Sequence, residues 1–200
     1  EGHMEFLTEF IILAMTAITL ENAIFTRALG IGKTVFTVHR GRQILVYGGM
    51  VTIMTMLSTM AGYWISGMLA KWGWASAYRS IVYLVGMSVI YVICHYALML
   101  LPKRISSRAN GYLSLAAFNC AVLGSVMLSA VQSYTFAQSM GFGFGTGIGF
   151  TIAYWLVVEG RKRTELSAPP RSFRGFPAMV LYIGIMSLAF YGLSGHQLPL

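Results

Sequence analysis

The sequence predicts an all-α integral membrane protein with six transmembrane helices. Hydrophobic residues make up 56% of the 200-residue chain and charged residues only 10%, with a mean hydropathy of +0.68. A soluble domain carries about 25% charged residues, so this composition excludes that class. The apolar residues also fall into segments that can cross the hydrocarbon of a bilayer, which takes roughly 20 residues in a helix. Between these segments lie short basic loops.

Five segments approach or exceed that length, and each is predicted to be one span: 44–70, 80–101, 111–131, 138–158 and 176–194. A first span begins at Phe6, but Glu21 cuts it after the uncharged run 10–20. Because that run is too short to cross alone, the helix either breaks there or continues with Glu21 buried. Residues 1–3, before Met4, look like an expression-vector remnant. Residues 4–200 are then predicted to be a single membrane domain.

The basic residues are divided unequally between the two sets of loops. Twelve lie in the odd-numbered loops and only two, Lys71 and Arg79, in the even-numbered loops. The positive-inside rule places the odd loops in the cytoplasm and both termini outside. It also explains the net charge of +8 without a nucleic acid partner. The twelve are Arg27, Lys33, Arg40, Arg42, Lys103, Arg104, Arg108, Arg161, Lys162, Arg163, Arg171 and Arg174.

Polar residues occur at corresponding places in the two halves of the chain. Glu21 and Asn22 lie in the first span, and Asn119 and Cys120 lie within the fourth, shortly before Gly124. Interrupted segments at corresponding positions indicate inverted repeats around a site near the bilayer midplane. We therefore expect two inverted three-helix repeats, roughly 4–101 and 108–195, with the first and fourth helices interrupted. The alternative is that Asn119 only bonds a neighbouring helix and Cys120 packs as a small hydrophobic residue.

The fifth span opens with a glycine-rich run. Gly141, Gly145 and Gly149 are spaced by four and share one helix face, the pattern that lets helix backbones approach closely. The run does not fit GxGxxG and follows no predicted strand, so a dinucleotide-binding fold is not indicated. Helix packing is the predicted role.

Several of these motifs together resemble the RnfA/NqrE group, the six-span subunits of the Rnf (ferredoxin:NAD) and Nqr (NADH:quinone) ion-translocating oxidoreductases. The resemblance extends from Met4 to Gly195 without large gaps. It implies a prokaryotic inner-membrane protein that pairs with a homologous six-helix subunit, as a homodimer or with an oppositely oriented partner. The motifs are Leu20-Glu21-Asn22-Ala23, Leu29-Gly30, Asn119-Cys120-Ala121-Val122-Leu123-Gly124, residues 134–139, the glycine run 141–149, Arg174-Gly175 and residues 184–190.

The resemblance also implies a cofactor, an intramembrane [2Fe–2S] cluster held by one cysteine from each half-repeat of two subunits. Such a cluster takes four thiolates. Cys120 matches the second-half ligand, but Gly32 stands where the first-half cysteine is expected. Two copies of this chain would offer two thiols at the axis, and Asn119 and Asn22 are not strong iron ligands. Cys94 and His95 are adjacent on a helix and would not easily bind the same iron.

Three functions follow from these observations. The first is an electron-relaying subunit of an ion-translocating complex, with Cys120 as metal ligand and Asn119 beside it, coupled to Na⁺ or H⁺ transport. The second is a stand-alone relative without a cluster that binds or transports a small solute or ion at Glu21, Asn22 and Asn119, with Arg27 as partner of Glu21. The third is a structural subunit that holds an assembly together.

Overall fold

A computed structural model describes residues 2–30, 32, 41–72, 78–100, 103–166, 170, 172 and 174–193. Over these residues the chain forms seven α-helices and no strand, which confirms the predicted all-α fold. The helices are α1 (Gly2–Thr19), α2 (Gly41–Trp72), α3 (Arg79–Met99), α4 (Lys103–Ala117), α5 (Cys120–Val131), α6 (Phe136–Leu166) and α7 (Phe176–Leu193).

Three of these helices, α2, α3 and α6, are long and apolar enough to cross a membrane. Helices α4 and α5 meet at an angle of 47° across a two-residue break and together can form one further, broken span. Helix α7 is apolar but shorter. Within the described residues the structure therefore contains three spans, or four with the bent pair. The count of six and the placement of the termini stay predictions, since Lys33, Arg40, Arg171 and residues 194–200 lie outside the described part.

Helix α6 is the centre of the fold, because it packs between α1 and α2. Both contacts depend on glycine: a Cβ atom on α6 would meet backbone atoms of the neighbouring helix, not mobile side-chain ends. On the α1 side Gly141 lies against Phe10 and Gly145 against Ala14, while on the α2 side Gly147 lies against Thr52. Small residues allow this close approach of helix backbones. Helices α1, α2 and α6 therefore form a closely packed unit, and this unit fixes the path of residues 20–30.

The first and fourth predicted spans are both interrupted. Helix α1 ends at Thr19 and residues 20–30 continue as turns, so the chain breaks at Glu21 and does not continue as a helix. Phe118 and Asn119 separate α4 from α5. Buried apolar residues in the first break, Ile24 and Phe25, and beside the second, Ala117 and Ala121, belong to one core cluster. The two interruptions therefore lie in the same part of the fold.

Candidate functional site at the meeting of two helix breaks

Asn22 organises the first break. Its side chain is 2% exposed and uses all of its hydrogen-bonding positions. The Oδ1 atom accepts from the backbone N–H groups of Ile24 (3.0 Å) and Phe25 (3.3 Å). The Nδ2 group donates to the carbonyl oxygens of Ile18 (3.1 Å) and Gly149 (3.0 Å). One amide thus replaces lost helical hydrogen bonds and ties the break to α6.

Asn119 organises the second break in a similar way. It is the N-cap residue of α5, with φ −78° and ψ 134°, and its Oδ1 accepts from the backbone N–H of Ala121 at 2.9 Å. Asparagine is among the preferred N-cap residues because its side-chain oxygen satisfies an unpaired helix N–H. The Nδ2 group donates to the Tyr47 hydroxyl at 2.8 Å. The break is thereby tied to α2.

The two asparagines therefore make the same local arrangement. Each accepts from the N–H two residues further along the chain, and each donates to a different neighbouring helix, Asn22 to α6 and Asn119 to α2. Asn119 is also bordered by buried aromatic rings, with the Tyr47 and Phe150 centroids 6.0 Å apart. Both asparagines could be identified from the sequence. The partner Tyr47 carried no local signal, because it lies 72 residues from Asn119.

The two breaks meet at Gly30 and Cys120. The backbone N–H of Gly30 donates to the Cys120 sulfur, with 2.9 Å between the two atoms. Gly30 has φ +85°, a conformation that glycine adopts without strain. A Cβ atom at this position would lie 2.9 Å from the Asn119 Oδ1 and against the Phe150 ring. Only glycine fits this junction.

The junction opens onto an exposed apolar surface. Cys120 is exposed, and Phe118 beside it is 54% exposed. Gly32 is also exposed, and a Cβ atom there would have no heavy atom of the described part of the chain within 4 Å. Cys94 is half-buried against the core, and neither cysteine forms a disulfide. Among the described residues no three His, Cys, Asp or Glu side chains come together as a metal site.

Glu21 and Arg27 form an ion pair within the first break, with Oε2 and Nη2 3.2 Å apart. The pairing expected from the sequence is thus present, and Glu21 is partly exposed. The pair lines a cavity of about 250 Å³ between the break, α5 and α6, together with Gly124 and Thr146. Near the cavity, burial and then the Glu21 charge raise the pKa of Tyr134 in the α5–α6 loop, while Arg27 lowers it. Arg27 therefore pairs with a residue of the break itself. The side of the membrane that it faces stays a prediction.

Comparison with known proteins agrees with this architecture. The family model described as "Rnf-Nqr subunit, membrane protein" matches residues 10–197. The chain belongs to this family. The resemblance inferred from the sequence motifs is thus confirmed, and the chain is a membrane protein of the Rnf-Nqr family.

Two relatives in this family are similar over nearly their whole length, and a third over less than half of its length. The chain is 30% identical over 196 residues to one subunit of the "Na(+)-translocating ferredoxin:NAD(+) oxidoreductase complex" of Acetobacterium woodii, covering 94% of this chain and 98% of that protein. It is 28% identical over 191 residues to one subunit of the "Ion-translocating oxidoreductase complex" of Aromatoleum aromaticum, covering 94% and 97%. Its identity to a protein of the same description from Syntrophotalea carbinolica is 43% over 84 residues, which are 42% and 44% of the two chains.

The metal ligands at the junction are fewer than the expected cluster requires. A [2Fe–2S] cluster takes four thiolates, or in some proteins two thiolates and two imidazoles. The junction supplies one thiol, Cys120, and Gly32 has no side chain to supply another. In the described part of the chain no three or more His, Cys, Asp or Glu side chains come together as a metal site. The residues present therefore do not fit a cluster built from this chain alone.

Proposed function

We propose that this chain is a membrane subunit of an ion-translocating oxidoreductase complex, where it takes part in carrying electrons across the bilayer and in coupling them to Na⁺ or H⁺ transport. Similarity over about 94% of the chain to proteins named as subunits of such complexes supports the proposal. The observation that carries it is the Gly30–Cys120 junction, where two broken helices hold an exposed sulfur. Polar breaks inside apolar segments are characteristic of functional sites.

The junction is suited to presenting Cys120 to a partner. Cys120 is the first residue of α5, and the N-terminus of a helix favours negative charge. The Gly30 N–H adds a second dipole directed at the sulfur. Both complement the charge that a thiolate ligand carries. Asn119 and Asn22 act as positioning residues, because they fix the two breaks to α2 and α6.

The partner proposed for the exposed surface around Phe118 and Cys120 is a homologous six-helix subunit. Such a partner would be either oppositely oriented or a second copy of this chain. Apolar residues dominate the surface, as expected for an interface within the bilayer, and small residues such as Gly32 permit close approach. The proposed location is a prokaryotic inner membrane, with both termini outside the cytoplasm, on the basis of the loop charges.

The test is ion transport driven by electron transfer in inverted membrane vesicles. Vesicles from a strain lacking this chain should lose ferredoxin-dependent or NADH-dependent Na⁺ or H⁺ uptake, and the wild-type chain should restore it. Cys120→Ala should restore assembly but at most a small fraction of the uptake. Full activity with both Cys120→Ala and Glu21→Gln would instead support a purely structural subunit. Unchanged uptake in the deletion strain would contradict the proposal.

A stand-alone binding or transport function is the second candidate, and the Glu21–Arg27 cavity favours it. Its polar lining includes Ser125 and Thr146, and the cavity extends beside the first break. Ionisable groups within membrane segments usually mark ion or substrate paths. Titration of the purified chain with Na⁺ should then give a saturable heat of binding in the wild type and not in Glu21→Gln. Absence of this binding in a folded wild-type chain would remove Na⁺ as the ion of this candidate.

A further inference from the structure

We infer that position 32 keeps the place of a metal ligand but has lost the thiol, so that this chain brings one thiolate, Cys120, to the subunit interface. A four-thiolate cluster there then needs its other three thiolates from the facing subunit, and two copies of this chain cannot supply four. The inference rests on the proposed function only in taking the surface around Cys120 as an interface.

The backbone brings position 32 close to Cys120. Gly30 donates directly to the Cys120 sulfur, and Gly32 follows two residues later. Two residues span at most about 7 Å, so the Gly32 Cα lies within that distance of the Gly30 Cα. Gly32 is exposed like Cys120. We therefore take a side chain at position 32 to belong to the same surface.

Position 32 differs from the other glycines of the junction in the space that is available to a side chain. A Cβ at Gly30 would meet Phe150 and Asn119, and a Cβ at Gly124 would meet Leu29. A Cβ at Gly32 would meet no atom of the described residues within 4 Å. Packing therefore explains glycine at positions 30 and 124 but does not require it at position 32. The scaffold of a two-thiolate site is present, and one substitution accounts for the missing ligand.

The geometric test introduces a cysteine at position 32 and measures the affinity for Cd²⁺, a soft metal ion that two thiolates bind. Gly32→Cys is prepared in a Cys94→Ala background and titrated with Cd²⁺ under anaerobic conditions, following the ultraviolet sulfur-to-cadmium charge-transfer band. We expect one Cd²⁺ per chain, bound at least about tenfold more tightly than by the background protein. Adding Cys120→Ala should abolish the gain.

Gly67→Cys is the matched control, because Gly67 is also an exposed glycine with open space around its Cβ position. It lies on α2, 20 residues after Tyr47, which is about 30 Å along the helix. Gly67→Cys should therefore add a thiol to the protein without creating a tight Cd²⁺ site. Equal Cd²⁺ affinity in Gly32→Cys and Gly67→Cys would overturn the inference. So would misfolding of Gly32→Cys, since the open space predicts a normal elution volume and thermal transition.

The chemical test uses the wild-type chain purified alone and reconstituted with iron and sulfide. After reduction with dithionite, which makes a [2Fe–2S] cluster paramagnetic, we expect no electron paramagnetic resonance signal that depends on Cys120. A stoichiometric signal that Cys120→Ala removes would overturn the inference. These measurements concern ligand number only, whereas vesicle transport tests membership of the complex. Failure of one is therefore distinguishable from failure of the other.

Discussion

The backbone N–H of Gly30 lies 2.9 Å from the sulfur of Cys120, although 90 residues separate them in the sequence. This hydrogen bond joins a break after α1 to the break between α4 and α5. The Cys120 thiol is therefore held at an exposed position of a largely apolar fold. Backbone from the first half of the chain contacts it on one side, and helix α5 from the second half carries it.

Gly30 and Gly32 provide a matched pair for testing this junction. Gly30→Ala should lower the free energy of unfolding by about 1–3 kcal/mol, because alanine is strained at positive φ and its methyl group would meet Phe150 and Asn119. Gly32→Ala should change it by less than about 0.5 kcal/mol, as for an exposed substitution. Denaturant unfolding in detergent measures both. Equal losses in the two variants would show that the junction is not closely packed.

Asn119 should stabilise the fold through two separable hydrogen bonds. Asn119→Ala removes the α5 cap, typically worth about 1 kcal/mol, and leaves the Tyr47 hydroxyl without this donor, at a cost of about 1–3 kcal/mol. Of these two Asn119 bonds, Tyr47→Phe removes the second and keeps the cap. The double mutant should therefore be less destabilised than the sum of the single variants. Strict additivity of the measured free energies would argue that the two side chains do not interact.

The glycine face of α6 predicts a second contrast. Gly145→Ala places a methyl group against the α1 backbone at Ala14 and should destabilise the protein by about 1–3 kcal/mol. Gly184→Ala on α7 meets no neighbouring atom, so the better helix propensity of alanine should leave stability unchanged or raise it by up to about 1 kcal/mol. Thermal unfolding followed by circular dichroism compares them. A stabilised Gly145→Ala would contradict close α1–α6 packing.

The two cysteines should differ in reactivity. Cys120 is exposed whereas Cys94 is half-buried against the core, so a membrane-permeant maleimide should label Cys120 faster in the isolated chain. Mass spectrometry after timed labelling, with Cys120→Ala and Cys94→Ala as controls, measures the two rates. In native membranes the proposed partner should protect Cys120. Equal labelling of Cys120 in isolated and native material would be inconsistent with an interface at this surface.

Part of this architecture could be predicted from the sequence because it depends on local patterns. Low charge content indicated a membrane protein, Glu21 marked the first break, and the four-residue spacing from Gly141 indicated the face that packs against α1. The pairing of Glu21 with Arg27 was also accessible, since only six residues separate them. The cavity that this pair lines was not, because α5 and α6 form its other walls.

The remaining features depend on contacts between distant parts of the chain. Tyr47 resembles many other tyrosines in apolar segments until the fold brings its hydroxyl to Asn119. From the sequence alone Gly30 is an ordinary turn residue, and only the fold brings its N–H to the Cys120 sulfur. Such long-range contacts follow from how α2, α5 and α6 pack. No single-sequence periodicity encodes them.

We propose that Cys120 faces another subunit of the same family. Thiol-specific crosslinking from Cys120 in native membranes, in a Cys94→Ala background, tests it most directly, with adducts identified by mass spectrometry. We predict a crosslink to a cysteine of a second Rnf-Nqr family subunit, which is lost in Cys120→Ala. A chain that carries only the singly reacted reagent at Cys120, and that migrates alone on a native gel, would contradict the claim.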